Sequence, residues 1–378
     1  MIKERTNVKT TKVLIALLAG MVLLAGSAFA GPVWKFGPDN QGLLKLEYKG
    51  QFQLVVSDDQ EDTEEFNFRR NRLALMGAYG KNFGLYVQTE YNEDNALSDG
   101  DDSKFQILDA VARFKVADAA NVWVGKFKYN FTRENLEACE KPLTLDRSLF
   151  IRSPFVTTRD KGVALWGNLL EDKFQYRVDV MNGRSDADAP DSGFRYSARA
   201  HVTLLDPEKG YGYNGTYLGK KKVLTLGAAY QYESDVAFAG TDPKDLNAWT
   251  ADLFFEYPLE DMGTITFSSA YVDYDMDDAY KAGSTGPNAS EKNGTYVKAG
   301  YLLPNLPLQF FARYEDWSFA KLNDIDAQEL TWLAGGFNYY IKDQNLKLTV
   351  EFSNTDYDKE EADLEDFSQA VAQMQLIF

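Results

Sequence analysis

The stretch "FRYSARAHVTL" (194–204) alternates without exception. Phe194, Tyr196, Ala198, Ala200, Val202 and Leu204 fall on one parity, and Arg195, Ser197, Arg199, His201 and Thr203 fall on the other. Successive side chains of a β-strand point to opposite faces, so one face of this segment is apolar and the other polar and basic. No helix gives such a segment one clean apolar face. The same period recurs along the chain. In 43–56, Leu44, Leu46, Tyr48, Phe52, Leu54 and Val56 oppose Lys45, Glu47, Lys49, Gln51 and Gln53. In 174–180, Phe174, Tyr176, Val178 and Val180 oppose Gln175, Arg177 and Asp179. Sixteen runs of this kind can be marked, near 43–57, 66–80, 82–93, 104–116, 121–131, 161–170, 173–183, 194–205, 221–234, 246–257, 263–274, 293–303, 307–317, 328–341, 345–355 and 366–378.

The two ends of the chain say where these strands are placed. Residues 1–30 read as a secretory signal: Lys3, Arg5, Lys9 and Lys12 are basic, "VLIALLAGMVLLAG" is apolar, and Ala28-Phe29-Ala30 fits a small-x-small cleavage site. The mature chain is then 31–378. No later segment supplies the roughly 20 apolar residues of a spanning helix, and mean hydropathy is negative. A barrel escapes such a scan, because its strands alternate apolar and polar residues. The C-terminal "VAQMQLIF" places Ala370, Ala372, Met374, Leu376 and Phe378 on one face and Gln373 and Gln375 on the other. That pattern resembles the assembly signal of outer-membrane barrels, read by the barrel assembly machinery, and makes Phe378 its terminal residue. Together these features predict an all-β protein of the bacterial outer membrane: a transmembrane antiparallel β-barrel of about sixteen strands. The mature chain allows about 22 residues per strand and connection, and an even strand number suits a bacterial barrel.

Connections alternate in length. "GKN" (80–82), "LEDK" (170–173), "PLEDM" (258–262), "LPNLP" (303–307) and "KDQN" (342–345) are short and read as periplasmic turns. The connection 206–220 on that side is unusually long. The alternate connections include the acidic runs 58–65, 93–102 and 356–366, which read as extracellular loops. Acidic runs of this kind are ordinarily solvated faces, and next to a bilayer they could also meet divalent cations and lipopolysaccharide.

Several stretches resemble the phosphate-selective porin O and P family: "FNFRRNRLALMGAYGKNFGLYVQTEYN" (66–92), "VWVGKFKYNF" (122–131), "TTRDKGVALWG" (157–167) and "FQYRVDVMNG" (174–183). The resemblance covers roughly 43–205 and is architectural beyond that. It implies a sixteen-stranded barrel, usually a homotrimer, with a long loop folded inward and a passage for anions. It does not by itself make phosphate the solute.

The lumen chemistry can be read from parity. Arg70 and Arg72 oppose Leu73 and Leu75, Arg113 and Lys115 oppose Ala112 and Phe114, and Lys126 and Lys128 oppose Phe127 and Tyr129. A charge on the lipid face is costly, so these side chains are expected inside. Arg195 and Arg199 sit on the polar face of 194–204. Arg133, Arg147, Arg152 and Arg159, with Lys141, lie in or at the ends of the long segment 132–160, and line a constriction if that segment folds inward. Rings of Arg and Lys favour anions. Glu90, Asp109, Asp179, Asp252, Glu256 and Glu351 are also expected inside, and Glu134, Glu137, Glu140 and Asp146 dilute the loop. The expectation is therefore a water-filled diffusion channel for small hydrophilic solutes with a mild preference for anions. A phosphate- or oxyanion-selective channel and a purely structural barrel are the alternatives.

Other chemistries find little support. Net charge is −17, and no nucleic-acid partner is expected. His201 is the single histidine and Cys139 the single cysteine, so neither a multi-histidine metal site nor an intrachain disulfide can form, and no cofactor is expected. Ser197 shares a face with His201, but four strand residues separate their Cα atoms by about 13 Å, too far for a nucleophile and its base. No catalytic residue is expected.

Overall fold

The computed structural model describes residues 31–59, 63–91, 105–148, 150–185, 188–283, 286–359 and 364–378. Residues 1–30 (expected to be a signal), the whole acidic run 93–102 and the centres of the runs 58–65 and 356–366 lie outside the described residues. Among these residues, seventeen strands form one sheet. They are β1 (Val33–Phe36), β2 (Gly42–Ser57), β3 (Thr63–Tyr79), β4 (Phe83–Tyr91), β5 (Phe105–Ala117) and β6 (Ala120–Phe127). After the long loop come β7 (Asp160–Leu169), β8 (Phe174–Met181), β9 (Arg195–Thr203), β10 (Val223–Ala239), β11 (Asp242–Pro258) and β12 (Thr264–Asp275). The last are β13 (Lys292–Leu302), β14 (Leu308–Leu322), β15 (Ile325–Lys342), β16 (Leu346–Tyr357) and β17 (Phe367–Ile377).

Each strand from β2 to β16 pairs antiparallel with the next, and β17 returns to β2 in the register Gln373↔Gln53, closing a sixteen-stranded barrel. Closure leaves no open edge, so every strand satisfies its backbone on both sides. The seventeenth strand, β1, is too short to show as a periodic run in the sequence. It pairs with the first residues of β2, Val33↔Lys45 to Phe36↔Gly42, in line with β17, whose own pairing ends at Ile377↔Lys49. Tyr48 and Phe378 exchange both backbone hydrogen bonds at the junction, 2.8 and 3.1 Å.

Burial is inverted relative to a water-soluble sheet. On β9, Arg195, Ser197, Arg199, His201 and Thr203 are buried, while Tyr196, Ala198 and Val202 are exposed. Polar residues therefore point into the lumen and apolar ones outward, as a barrel in lipid requires.

The lumen is crossed by two segments. The longer, 128–159, leaves β6 after Phe127 and begins with a single helical turn, Arg133–Leu136, capped by the Thr132 hydroxyl, which accepts from the Asn135 amide at 3.1 Å. It then follows the inner wall. Lys298 holds Glu134 at 2.8 Å, Asn338 donates to the Leu143 carbonyl at 2.8 Å, and Gln375 donates to the Glu140 carbonyl at 2.9 Å. Farther on, the Leu145 amide donates to Glu351 at 3.0 Å, and Tyr274 donates to the Ile151 carbonyl at 2.7 Å.

The second segment, 206–220, explains why that connection is so long. It folds up from the opposite end of the barrel and meets the first. The Tyr213 amide donates to Leu136 and the Ala138 amide to Tyr213, at 3.3 and 2.9 Å, and Tyr211 stacks on Trp123 with ring centres 3.9 Å apart. Glu208 takes both terminal nitrogens of Arg133 at 2.8 Å each, with both side chains buried. Desolvation opposes the charge on Glu208, yet the guanidinium holds its carboxyl down at about 2.

Two outcomes follow from this architecture. Phe378 packs on Tyr48 with ring centres 5.3 Å apart, at the point where β17 meets β2. Phe378→Ala removes an aromatic contact of about 0.5–1.5 kcal/mol and should lower the fraction of folded, membrane-inserted protein, read as heat-modifiable migration on a gel. Glu208→Gln leaves Arg133 buried without its counter-charge. It should destabilise the barrel by about 3–5 kcal/mol, read as a lower urea midpoint of unfolding. An unchanged midpoint would show that the two lumen segments do not depend on this pair.

Candidate functional site

The narrowing of the lumen is built by the inner face of β2 to β5 and the loop that returns across it. On β3, Arg70 and Arg72 point inward by strand parity. Between them and Phe68 the register with β2 slips, Gln51 facing Arg70 and Phe52 facing Phe68. Arg69 is the extra residue of this bulge. A bulge re-aims a side chain, and here it turns Arg69 into the lumen beside Arg70. Both guanidiniums hold one loop carboxylate: Arg69 lies 2.7 Å from Asp146 Oδ2, and Arg70 Nη2 lies 2.8 Å from each Asp146 oxygen. Arg72 forks onto Glu90 at 2.8 and 3.3 Å, Arg159 binds Asp109 at 2.9 Å, and Lys49 lies 3.2 Å from Glu140. Burial alone would raise the carboxyls of Asp146 and Glu140. Arg69 and Arg70 instead hold Asp146 well below the usual carboxylate range, and Lys49 does the same for Glu140.

Where β6 leaves the wall, a cavity of about 990 Å³ opens. Arg69, Arg70, Arg72, Arg147, Arg152 and Arg159 face it with Lys126 and Lys161, and Glu90 is the one acidic residue among those described as lining it. The departure of the loop depends on Gly125, whose φ is 132° and where a Cβ would sit 2.0 Å from the Ala110 carbonyl oxygen. Only glycine fits both demands.

The structure separates the residues expected in the lumen into three groups. Arg70, Arg72, Arg147, Arg152 and Arg159 meet at the cavity. Lys128 lies just past the end of β6, and its ammonium donates to the Glu137 carbonyl at 2.6 Å and sits 3.8 Å from the Cys139 sulfur. Arg113 lies inside but nearer the turns, over the rings of Tyr86 and Trp123, and Lys115 reaches the rim, where it pairs with Asp118. A second group is buried and neutralised: Arg133 by Glu208, Arg195 by Glu233, and Arg199 by Asp252 at 2.6 and 2.9 Å. These three brace the infolded segments and do not line an open passage. The third group is Lys126 alone. Its strand parity is outward, with Val122 and Val124, it donates to the Ile107 carbonyl at 2.9 Å, and it sits opposite Lys161 of β7, yet both lysines line the same cavity as the arginines. The expectation of inward parity for Lys126 is corrected, for a physical reason, although its side chain still lines the cavity. Phe127 is buried inside the barrel against Trp123 and Tyr211, so at this strand end the apolar residue is the inward one.

Sequence reasoning passed over Arg69, whose orientation depends on the bulge, and Lys298 and Arg313, which hold Glu134 from the far wall. The run "RRNR" (69–72) was the available signal for Arg69. His201 Nδ1 lies 2.7 Å from the Tyr213 hydroxyl, and the Ser197 hydroxyl accepts from Gln231 at 2.9 Å, so the two do not form a nucleophile and base. No group of three potential metal ligands occurs among the described residues.

Comparison with known proteins agrees with this geometry. The model of the family described as phosphate-selective porin O and P matches residues 44–241 and 276–378. A protein of Aquifex aeolicus (strain VF5) described as uncharacterized is 25% identical over 388 residues, covering 89% of this chain and 87% of that protein. Among solved structures, OmpF of Salmonella typhi superposes with a TM-score of 0.61 at 13% identity, covering 91% of this chain and 100% of that one. The anion-selective porin from Comamonas acidovorans gives 0.59 at 11% identity, covering 89% and 100%. OmpT of Vibrio cholerae, in its trimer form, gives 0.55 at 13%, covering 89% and 99%. At these identities the structures speak for the fold alone, whereas the family match runs over most of the chain, and the chain therefore belongs to the phosphate-selective porin O and P family, as an outer-membrane porin that forms a diffusion channel.

Proposed function

We propose that this porin passes small hydrophilic solutes with a mild preference for anions, and that it works as a homotrimer in contact with lipopolysaccharide. The cavity beside the loop carries the reading on charge. Its arginines outnumber its acids, yet Arg70, Arg72 and Arg159 each have a carboxylate partner. Arg147 differs, because its side chain donates to the backbone carbonyl of Asn135. Its charge and that of Lys126, which lines the same cavity, are the part least offset by acids. The acidic outer loops weigh little on this balance, since exposed charges beyond ~10 Å are screened at about 0.1 M salt.

The trimer is supported by the trimer form of the Vibrio cholerae protein, which shares the fold.

Zero-current potentials in a potassium chloride gradient test the reading. The wild-type channel should prefer chloride modestly. Arg147→Glu and Lys126→Glu should each shift the potential toward cations. A wild-type channel that prefers cations overturns the proposal, and so does an unchanged potential in both variants.

A further inference from the structure

The same carboxylate is held by two adjacent arginines on β3, and no arginine elsewhere in the described lumen is arranged in this way. Each Asp146 oxygen is engaged: Oδ2 by Arg69 at 2.7 Å and Arg70 at 2.8 Å, and Oδ1 by Arg70 at 2.8 Å and by the Arg147 amide at 2.8 Å. Planar guanidinium forks bind carboxylates and phosphates through the same parallel hydrogen bonds. Asp146 thus stands where the oxyanion of a solute would stand. Its backbone is fixed from the opposite wall, where Arg313 of β14 donates to the Asp146 carbonyl at 3.0 Å and the Thr144 hydroxyl donates to the same oxygen at 2.7 Å. The guanidiniums also keep unmet capacity: Arg70 Nε and Arg147 Nε are buried without a hydrogen-bond partner. Arg69 and Arg70 both face the 990 Å³ cavity, so a solute can reach the fork once the carboxylate is gone.

We propose that Asp146 is a tethered anion occupying a two-arginine oxyanion site, and that it sets how strongly the passage holds anionic solutes. This inference rests on reading the lumen as an anion-preferring passage. With Asp146 in place, the fork is satisfied internally, solutes meet weaker cations, and binding stays loose enough for rapid diffusion. Without it, two adjacent guanidiniums are open to an oxyanion from solution.

The test uses purified full-length protein in planar bilayers, with inorganic phosphate as the probe. Asp146→Asn and, as a second variant, Asp146→Ser should keep the heat-modifiable migration of a folded barrel. Each should raise the anion-to-cation permeability ratio and lower the phosphate concentration that half-blocks chloride current by about tenfold, the effect of one charge-assisted hydrogen-bonded contact. Arg69→Gln with Arg70→Gln should change phosphate block little in the natural background, because Asp146 already fills the fork, and should cancel the gain in the Asp146→Asn background. Unchanged block in both Asp146 variants overturns the inference. So does loss of all block on removing the two arginines from the otherwise natural protein, which would mean that solutes already use them. A cation-preferring wild-type channel overturns the proposed function instead, and a phosphate gain in Asp146→Asn would then still support the site.

Discussion

A strand that crosses lipid must find partners for all its backbone amides and carbonyls within the protein. Here that constraint is met by the return of β17 to β2, from Gln369↔Ser57 to Ile377↔Lys49. The inverted burial seen on β9 depends on this closure. Once the sheet is a ring, one face is committed to lipid and the other to an enclosed polar space, and side chains sort accordingly. The short β1 continues the line of β17 along β2, so the edge that the last strand leaves uncovered at the chain ends is covered by the first.

The enclosed space then sets a second problem. A ring of sixteen strands would leave a wide aqueous lumen, but this one is filled by 128–159 from one end and 206–220 from the other. Both carry charge into a region of low dielectric, where an unpaired ion is expensive and a paired one roughly breaks even. The result is a set of buried pairings: Arg133 with Glu208, Arg199 with Asp252, and Glu134 with both Lys298 and Arg313. Such pairs add little net stability over apolar residues of the same size, but the loss of either partner is costly. They therefore fix the position of the loop more than they strengthen the barrel.

Selectivity follows from what remains after the pairing. The acids of the loop, counted in sequence as a dilution of positive charge, are not equivalent in space. Glu134 is taken up by the far wall and Glu140 by Lys49, while Asp146 covers two arginines beside the cavity. Total charge says little about such a channel, because short-range pairing and salt screening leave only the local imbalance at the narrowing to act on a passing ion.

The strands were legible in the sequence because period 2 is a local property. All sixteen barrel strands coincide with alternating runs, and the final "VAQMQLIF" marks the closing strand as such. The inward parity of Arg70 and Arg72 was legible for the same reason, whereas the inward folding of 132–160 was implied only by the family resemblance. Other features were not. Lys126 has outward strand parity because an aromatic patch of Trp123, Phe127 and Tyr211 occupies the lumen, and Tyr211 lies far along the chain in a segment whose length alone was notable. Arg69 faces inward because of a one-residue bulge that shifts parity without changing composition. Which arginines are free to meet a solute was decided only by folding. Arg70 and Asp146, or Arg133 and Glu208, are more than seventy positions apart. An alternating pattern tells which face a charge occupies, and only the closed barrel with its two infolded segments brings that charge to its partner.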